Sequence, residues 1–146
     1  SSSQNNLLFS GHTGLGKTFL STCIANELIK KGKNVLYQTA PIMLDKIIDY
    51  KFGKSNDNIV DSIYSVDLLI IDDLGTELSN SFTISQLYYF IEERHRNQKS
   101  TIISTNLSFS DLRERYSERI FSRFTGYYDF KQIIGNDIRI QKALNL

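Results

Sequence analysis

Eight consecutive residues, Gly11-His12-Thr13-Gly14-Leu15-Gly16-Lys17-Thr18, have the types and spacing that hold a phosphate chain. In a G-x-x-x-x-G-K-[ST] loop the glycines let successive backbone N–H groups turn inward around phosphate oxygens, where a Cβ would stand in the way. A helix beginning at the loop would point its positive end at the same anion. Lys17 supplies a mobile cation for the β- and γ-phosphates, and the Thr18 hydroxyl a ligand for Mg²⁺. Phe19 follows directly and is counted with the loop. The setting agrees with the motif: the apolar run Leu7–Ser10 precedes it and a stretch of helical period follows. A chance glycine-rich turn would not need either neighbour. His12 by itself reads as a solvated loop histidine.

A second group stands at the end of Val66-Asp67-Leu68-Leu69-Ile70-Ile71-Asp72-Asp73, an apolar run closed by two carboxylates. The C-terminal ends of parallel strands face the ligand crevice. Asp72 is therefore expected to hold Mg²⁺, directly or through water, and Asp73, across the pleat, to orient the attacking water. An Asp-Asp-x-Gly turn leaving a strand is common in its own right; the phosphate loop upstream favours the chemical reading. Asp57 and Asp67 read as solvated. Asn106 ends the run Thr101–Asn106, placed either to reach a γ-phosphate and the attacking water or simply to turn the chain. Arg113, Arg115, Arg119 and Arg123 share a segment with Glu114 and Glu118. That segment is either a charged helix face with local pairs or a surface offering Arg119 or Arg123 to a neighbouring subunit's nucleotide. Composition does not choose between these.

These residues need a scaffold that brings four separate segments to one edge. Apolar runs bounded by turn residues recur at Leu7–Ser10, Val35–Thr39, Val66–Ile71, Thr101–Ser104 and, less distinctly, Tyr127–Ile134. Several are continuous rather than alternating, as strands covered on both faces are. Between them, Lys17–Lys31, Pro41–Phe52, Ser81–Arg96 and Ser110–Phe124 have helical period, with Gly32 as a stop and Pro41 as a start. Alternating strands and helices predict a three-layer α/β domain with a parallel sheet. The chain of 146 residues is one domain's length. One cysteine, Cys23, excludes an internal disulfide, and no Cys/His cluster has metal-ligand spacing. The near-neutral balance of 17 basic and 16 acidic residues provides no global field for nucleic acid. No apolar run approaches the ~20 residues of a membrane helix. A cytoplasmic protein without membrane contact is the expectation.

Taken together, LLFSGHTGLGKTFL, VDLLIIDDLGTE, TIISTNLS, ERIFSRF and GNDIRIQKAL resemble the AAA+ ATPases of the DnaC/DnaI helicase-loader and IstB family. The resemblance spans nearly the whole chain in family order. It implies a sheet of the ASCE type in the order 5-1-4-3-2, binding of ATP or ADP with Mg²⁺, ATP hydrolysis, and assembly into rings or spirals. Lys17 and Thr18 match Walker A, Asp72 and Asp73 match Walker B, and Asn106 matches sensor 1. Arg123 in SRF matches the arginine finger, with Arg119 beside it, and Arg139 in DIR stands where sensor 2 belongs. The second Walker B residue is Asp, where AAA+ proteins at large carry Glu, so water activation is expected to be weak. With the sequence reaching Leu146, no helical lid is expected within it, and the segment that binds the replicative helicase in family loaders is expected N-terminal to this region.

In initiators and loaders the stretch after the second strand carries extra helices that touch single-stranded DNA. Here that stretch, Pro41–Tyr64, holds Lys46, Tyr50, Lys51, Phe52 and Lys54 as backbone charges and a stacking surface. Against this, aromatics at helical spacing are more often core than base platforms. The leading function is the ATPase domain of a bacterial helicase loader. An IstB-like transposition ATPase, a nucleotide-gated scaffold with little turnover and a small P-loop kinase are the competing readings.

Overall fold

Continuous apolar runs became strands, and the helical-period stretches between them became the crossovers. The computed structural model describes residues 6–11, 14–56 and 59–133; His12, Thr13 and Arg139 lie outside these. In chain order the elements are β1 Leu7–Ser10, α1 Gly14–Lys30, β2 Val35–Thr39, α2 Ala40–Lys51, α3 Ile59–Ser65 and β3 Leu68–Leu74. They continue with α4 Ser81–Arg96, β4 Ser100–Thr105, α5 Phe109–Arg115, α6 Glu118–Tyr127 and β5 Asp129–Gln132. The five strands form one sheet in the order β2-β3-β4-β1-β5, and each neighbouring pair is parallel. Read from the other edge, this is the expected 5-1-4-3-2. Placing β4 and β3 between β1 and β2 makes α1 cross the sheet before the chain returns as β2.

Two apolar layers flank the sheet. On one face Leu8, Leu69, Ile71 and Ile103 meet side chains from α2 to α6, among them Ile47, Ile63, Phe90, Leu112, Ile120 and Phe124. On the other face Phe9, Leu68, Ile70, Ile102 and Ile133 meet Leu20, Ile24 and Leu28 of α1. The second face is the one from which the phosphate-loop helix departs.

Among the boundaries that differ from the sequence reading, three have a clear local reason. The basic run expected over Ser110–Phe124 is two helices. Tyr116 leaves α5 in extended geometry and is buried, and the Ser117 side chain caps α6 by accepting from the N–H of Ile120 at 3.3 Å. A short helix, α3, occupies the end of the Pro41–Tyr64 stretch, buried through Val60 and Ile63. The third strand extends through both aspartates to Leu74. Its pairing with β4 is interrupted there: Ile71 stands opposite Ile103, yet Leu74 stands opposite Thr105. One extra residue is thus looped into β3, a β-bulge, and Asp73 takes it up with a left-handed φ of 58°.

The end of the sheet away from the strands' C-termini is fastened by Arg94. This side chain is fully buried, and among the described residues no carboxylate forms an ion pair with it. Its guanidinium donates to Thr101 Oγ1 at 2.9 Å and to the carbonyls of Ile63, Val66 and Ser100 at 2.9, 3.0 and 2.7 Å. It joins α3, the entry to β3 and the start of β4 to the last turn of α4. Burial lowers its pKa to about 10, so it remains a cation at neutral pH.

Candidate nucleotide site

The C-terminal ends of β1, β3 and β4 meet at one edge, and the side chains singled out by spacing converge there. Gly11 follows β1, and its N–H donates to the Thr105 carbonyl at the end of β4 at 3.2 Å. A Cβ at Gly11 would stand 2.2 Å from the Ile133 carbonyl oxygen, so only glycine lets β5 close over the loop's start. Lys17 lies in the first turns of α1 and is 2% exposed. Its Nζ donates to the Gly11 carbonyl and to Asn106 Oδ1, the latter at 2.8 Å. The lysine of the phosphate loop and the residue expected to sense the γ-phosphate are therefore in direct contact, although 89 positions separate them.

Burial lowers the Lys17 pKa from the ordinary lysine value, and the fields of Asp72 and then Asp73 oppose that shift. Both carboxylates thus bear on the ammonium. Asp72 accepts from the Tyr37 hydroxyl of β2 and, at 2.9 Å, from the backbone N–H of Asp73. Asp73 is exposed, and its carbonyl accepts from both the N–H and the hydroxyl of Thr76 at 3.2 and 2.8 Å. The sequence reading put Asp72 and Asp73 on opposite sides of a regular pleat; Asp72 keeps its regular register with Thr39, and the bulge breaks the alternation at Asp73.

The loop carrying Asn106 is pinned from two sides. Thr105 is fully buried and donates to the Leu74 carbonyl at 2.6 Å while accepting from the Leu107 N–H at 3.0 Å. Ser10 donates to the Leu107 carbonyl at 2.7 Å. Gly75, with φ 108°, admits the Leu107 side chain, which a Cβ there would meet at 2.6 Å. One turn further on, Glu77 is buried and accepts from the Gly75 N–H at 2.6 Å and from the Tyr116 hydroxyl at 2.7 Å. Arg115 donates to the Glu77 carbonyl as well. Glu77 so ties the turn after the aspartates to the junction of α5 and α6. No role was assigned to Tyr37, Glu77, Thr105 or Ser10 from sequence. For Glu77 the available signal was its place four residues after Asp73.

A divalent ion fits these oxygens only together with a nucleotide. Among the described residues no group of three or more His, Cys, Asp or Glu side chains is placed to hold a metal. The exposed Thr18 side chain and the Asp72 carboxylate supply hard oxygen donors, the type Mg²⁺ takes when phosphates complete its shell. Thr18 and Asp72 are thus the residues that would hold it.

Arg119 and Arg123 lie elsewhere, on α6. Arg123 donates to Glu92 Oε1 at 2.7 Å and to the Tyr88 hydroxyl at 3.2 Å, both on α4, and the Arg119 guanidinium lies 4.2 Å from the Tyr88 ring centroid. These contacts lie on α4 and α6, in the layer opposite α1. At the end of α2, Tyr50 and Phe52 are 43% and 65% exposed, and Phe52 pairs with Phe82 of α4 at 5.9 Å between ring centroids. Lys51 and Lys54 are exposed beside them and Lys46 is half-buried. The aromatics weighed as possible core are on the surface.

The IstB-like ATP binding protein family matches residues 1–144 of the chain. The chain belongs to that family. The replicative helicase loader DnaC of Escherichia coli strain K12 is 28% identical over 118 residues, 80% of this chain and 48% of that protein. The chain spans about half the length of such curated relatives. A crystal structure of the DnaC helicase loader superposes with a TM-score of 0.80 at 25% identity, covering 90% of this chain and 79% of that one. The replication initiator DnaA bound to AMPPCP and single-stranded DNA gives a TM-score of 0.77 at 28% identity, covering 99% and 46%. The fold is thus that of the AAA+ ATP-binding proteins, as the IstB-like motifs implied. Among the described residues no helix is long and apolar enough to cross a membrane.

Proposed function

We propose that this IstB-like domain binds ATP with Mg²⁺, hydrolyses it slowly, and uses the cycle to assemble on single-stranded DNA and deliver a replicative helicase. The observation that carries the reading is the contact of Lys17 with Asn106 beside Asp72 and Asp73. With these four side chains at one strand edge, Lys17 would bind phosphate, Asn106 sense the γ-phosphate, Asp72 hold the metal and Asp73 orient water. Asp73 has the charge to act on water, and Asn106 would detect the γ-phosphate by exchanging its bond with Lys17 for one to the ligand. Arg123 and Arg119, remote from their own site, suit a role in a neighbour's, with Arg123 as the finger. Lys46, Tyr50, Lys51, Phe52 and Lys54 combine backbone charge with exposed rings, as single-strand binding requires. The likeness to DnaA bound to AMPPCP and single-stranded DNA supports both ligands.

The experiment is a titration of a fluorescent ATP analogue into the wild type and Lys17→Ala, together with phosphate release with and without single-stranded DNA. Removing the phosphate cation should weaken binding at least tenfold, about 1.4 kcal/mol. Equal affinities would sink the assignment. The IstB family match favours a second reading, a transposition helper with the same ATP chemistry. Stimulation by a transposase rather than by a replicative helicase would select it.

A further inference from the structure

Tyr37 lies on β2, the edge strand of the sheet, and is half exposed. A tyrosine on such an edge needs no protein partner for its hydroxyl, because water can satisfy it. Here the hydroxyl is instead aimed across to β3 and donates to Asp72 Oδ2. The register explains the reach. Tyr37 pairs with Ile70 and Thr39 with Asp72, so Tyr37 and Asp72 project from the same face two positions apart along neighbouring strands. The other carboxylate oxygen, Oδ1, accepts from the Asp73 N–H at 2.9 Å. Two donors on two different strands therefore fix the plane of the carboxylate. Each oxygen still keeps an acceptor position for a cation or its water.

Groups that hydrogen-bond to a metal's carboxylate ligand set its orientation, and losing one typically costs about 10–100-fold in metal affinity. We propose that Tyr37 is a positioning residue for the metal ligand Asp72, its hydroxyl presenting the carboxylate to the divalent ion of a bound nucleotide. The inference rests on the nucleotide-binding reading and adds to it a residue that no motif marks. The ring takes no part in the chemistry and acts only through Asp72.

Tyr37→Phe removes only the hydroxyl. Wild type, Tyr37→Phe, Asp72→Asn and the double variant are each loaded with a fluorescent ADP analogue in chelator, and Mg²⁺ is then titrated in. Mn²⁺, counted by electron paramagnetic resonance, gives a direct second reading of the ion. The expected result is a Mg²⁺ midpoint raised about 10–100-fold in Tyr37→Phe, with metal-free nucleotide affinity and thermal midpoint unchanged. In the Asp72→Asn background the tyrosine substitution should add nothing, as coupled residues behave in a double-mutant cycle. An unchanged Mg²⁺ midpoint in Tyr37→Phe overturns the proposal. So does a parallel loss of metal-free affinity, which would mark a general structural role, or an equal shift without the Asp72 carboxylate. If wild type binds no nucleotide at all, the functional reading fails and this inference with it. If wild type binds with normal Mg²⁺ dependence and Tyr37→Phe matches it, only the inference fails.

Discussion

Replacing Asp73 separates nucleotide binding from hydrolysis, and the backbone decides which replacements are informative. Asp73 occupies the bulge of β3 at φ 58° and is exposed. Asn tolerates left-handed backbone as Asp does, and it has the same shape. Asp73→Asn should therefore leave thermal stability within about 0.5 kcal/mol. It removes the only property that acts on water, the negative charge. General-base assistance is worth roughly 10²–10⁴-fold, and a slow ATPase should lose at least an order of magnitude. ATP affinity should stay within a few-fold, because Lys17 and the phosphate loop are untouched. Asp73→Glu tests reach: it restores the residue typical of AAA+ proteins but strains a longer side chain in left-handed geometry, by about 1–2 kcal/mol. Faster turnover with a lower thermal midpoint is the expected pairing. Phosphate release under saturating ATP, fluorescence titration and thermal denaturation on the same preparations supply the three readouts. Undiminished turnover of assembled Asp73→Asn would refute its action on water. A large stability loss in that variant would refute the backbone argument instead.

Arg94→Ala leaves buried carbonyl acceptors unpaired and should destabilise the domain by at least about 3 kcal/mol, with denaturant unfolding as the measurement. ATP affinity of the folded fraction should not change, since Arg94 fastens the far end of the sheet. Glu77→Ala strips the acceptor from the Gly75 N–H and the Tyr116 hydroxyl and should cost about 3 kcal/mol. Glu77→Gln keeps an acceptor oxygen and should cost less than half as much in the same assay. Arg123→Ala should leave monomer nucleotide affinity unchanged and abolish assembly-dependent hydrolysis. Mixing it with Lys17→Ala should restore part of the activity if intact Lys17 and Arg123 meet across an interface. No recovery despite co-assembly would leave Arg123 as a helix-surface partner of Glu92.

What the sequence made legible follows from the range of the forces involved. The strands and the P-loop were accessible because continuous apolar runs and fixed glycine spacing are local signals; the sheet order was implied by the family resemblance alone. Ser81–Arg96 was bounded correctly, since Asn80 caps it and exchanges hydrogen bonds with Thr83 within four residues. The break at Tyr116 was not legible. Its cause is the burial of a ring whose hydroxyl finds Glu77, 39 positions earlier. The same holds for Arg94, which reads as one more base in a basic last turn until four acceptors from three elements surround it. Asp72 and Asp73 show the intermediate case. Their chemistry could be read from two carboxylates ending an apolar strand, but their aim could not. A pleat would send them to opposite faces; a bulge, set by how β3 meets β4, breaks that alternation at Asp73. Tyr37 belongs with these. Its type at that position fits any edge strand, and only the register of β2 against β3 turns it toward the aspartate. Residue types thus reported which groups could react, while pairing between distant strands determined which groups face one another. The geometry of this IstB-like site is therefore a property of the sheet more than of its motifs.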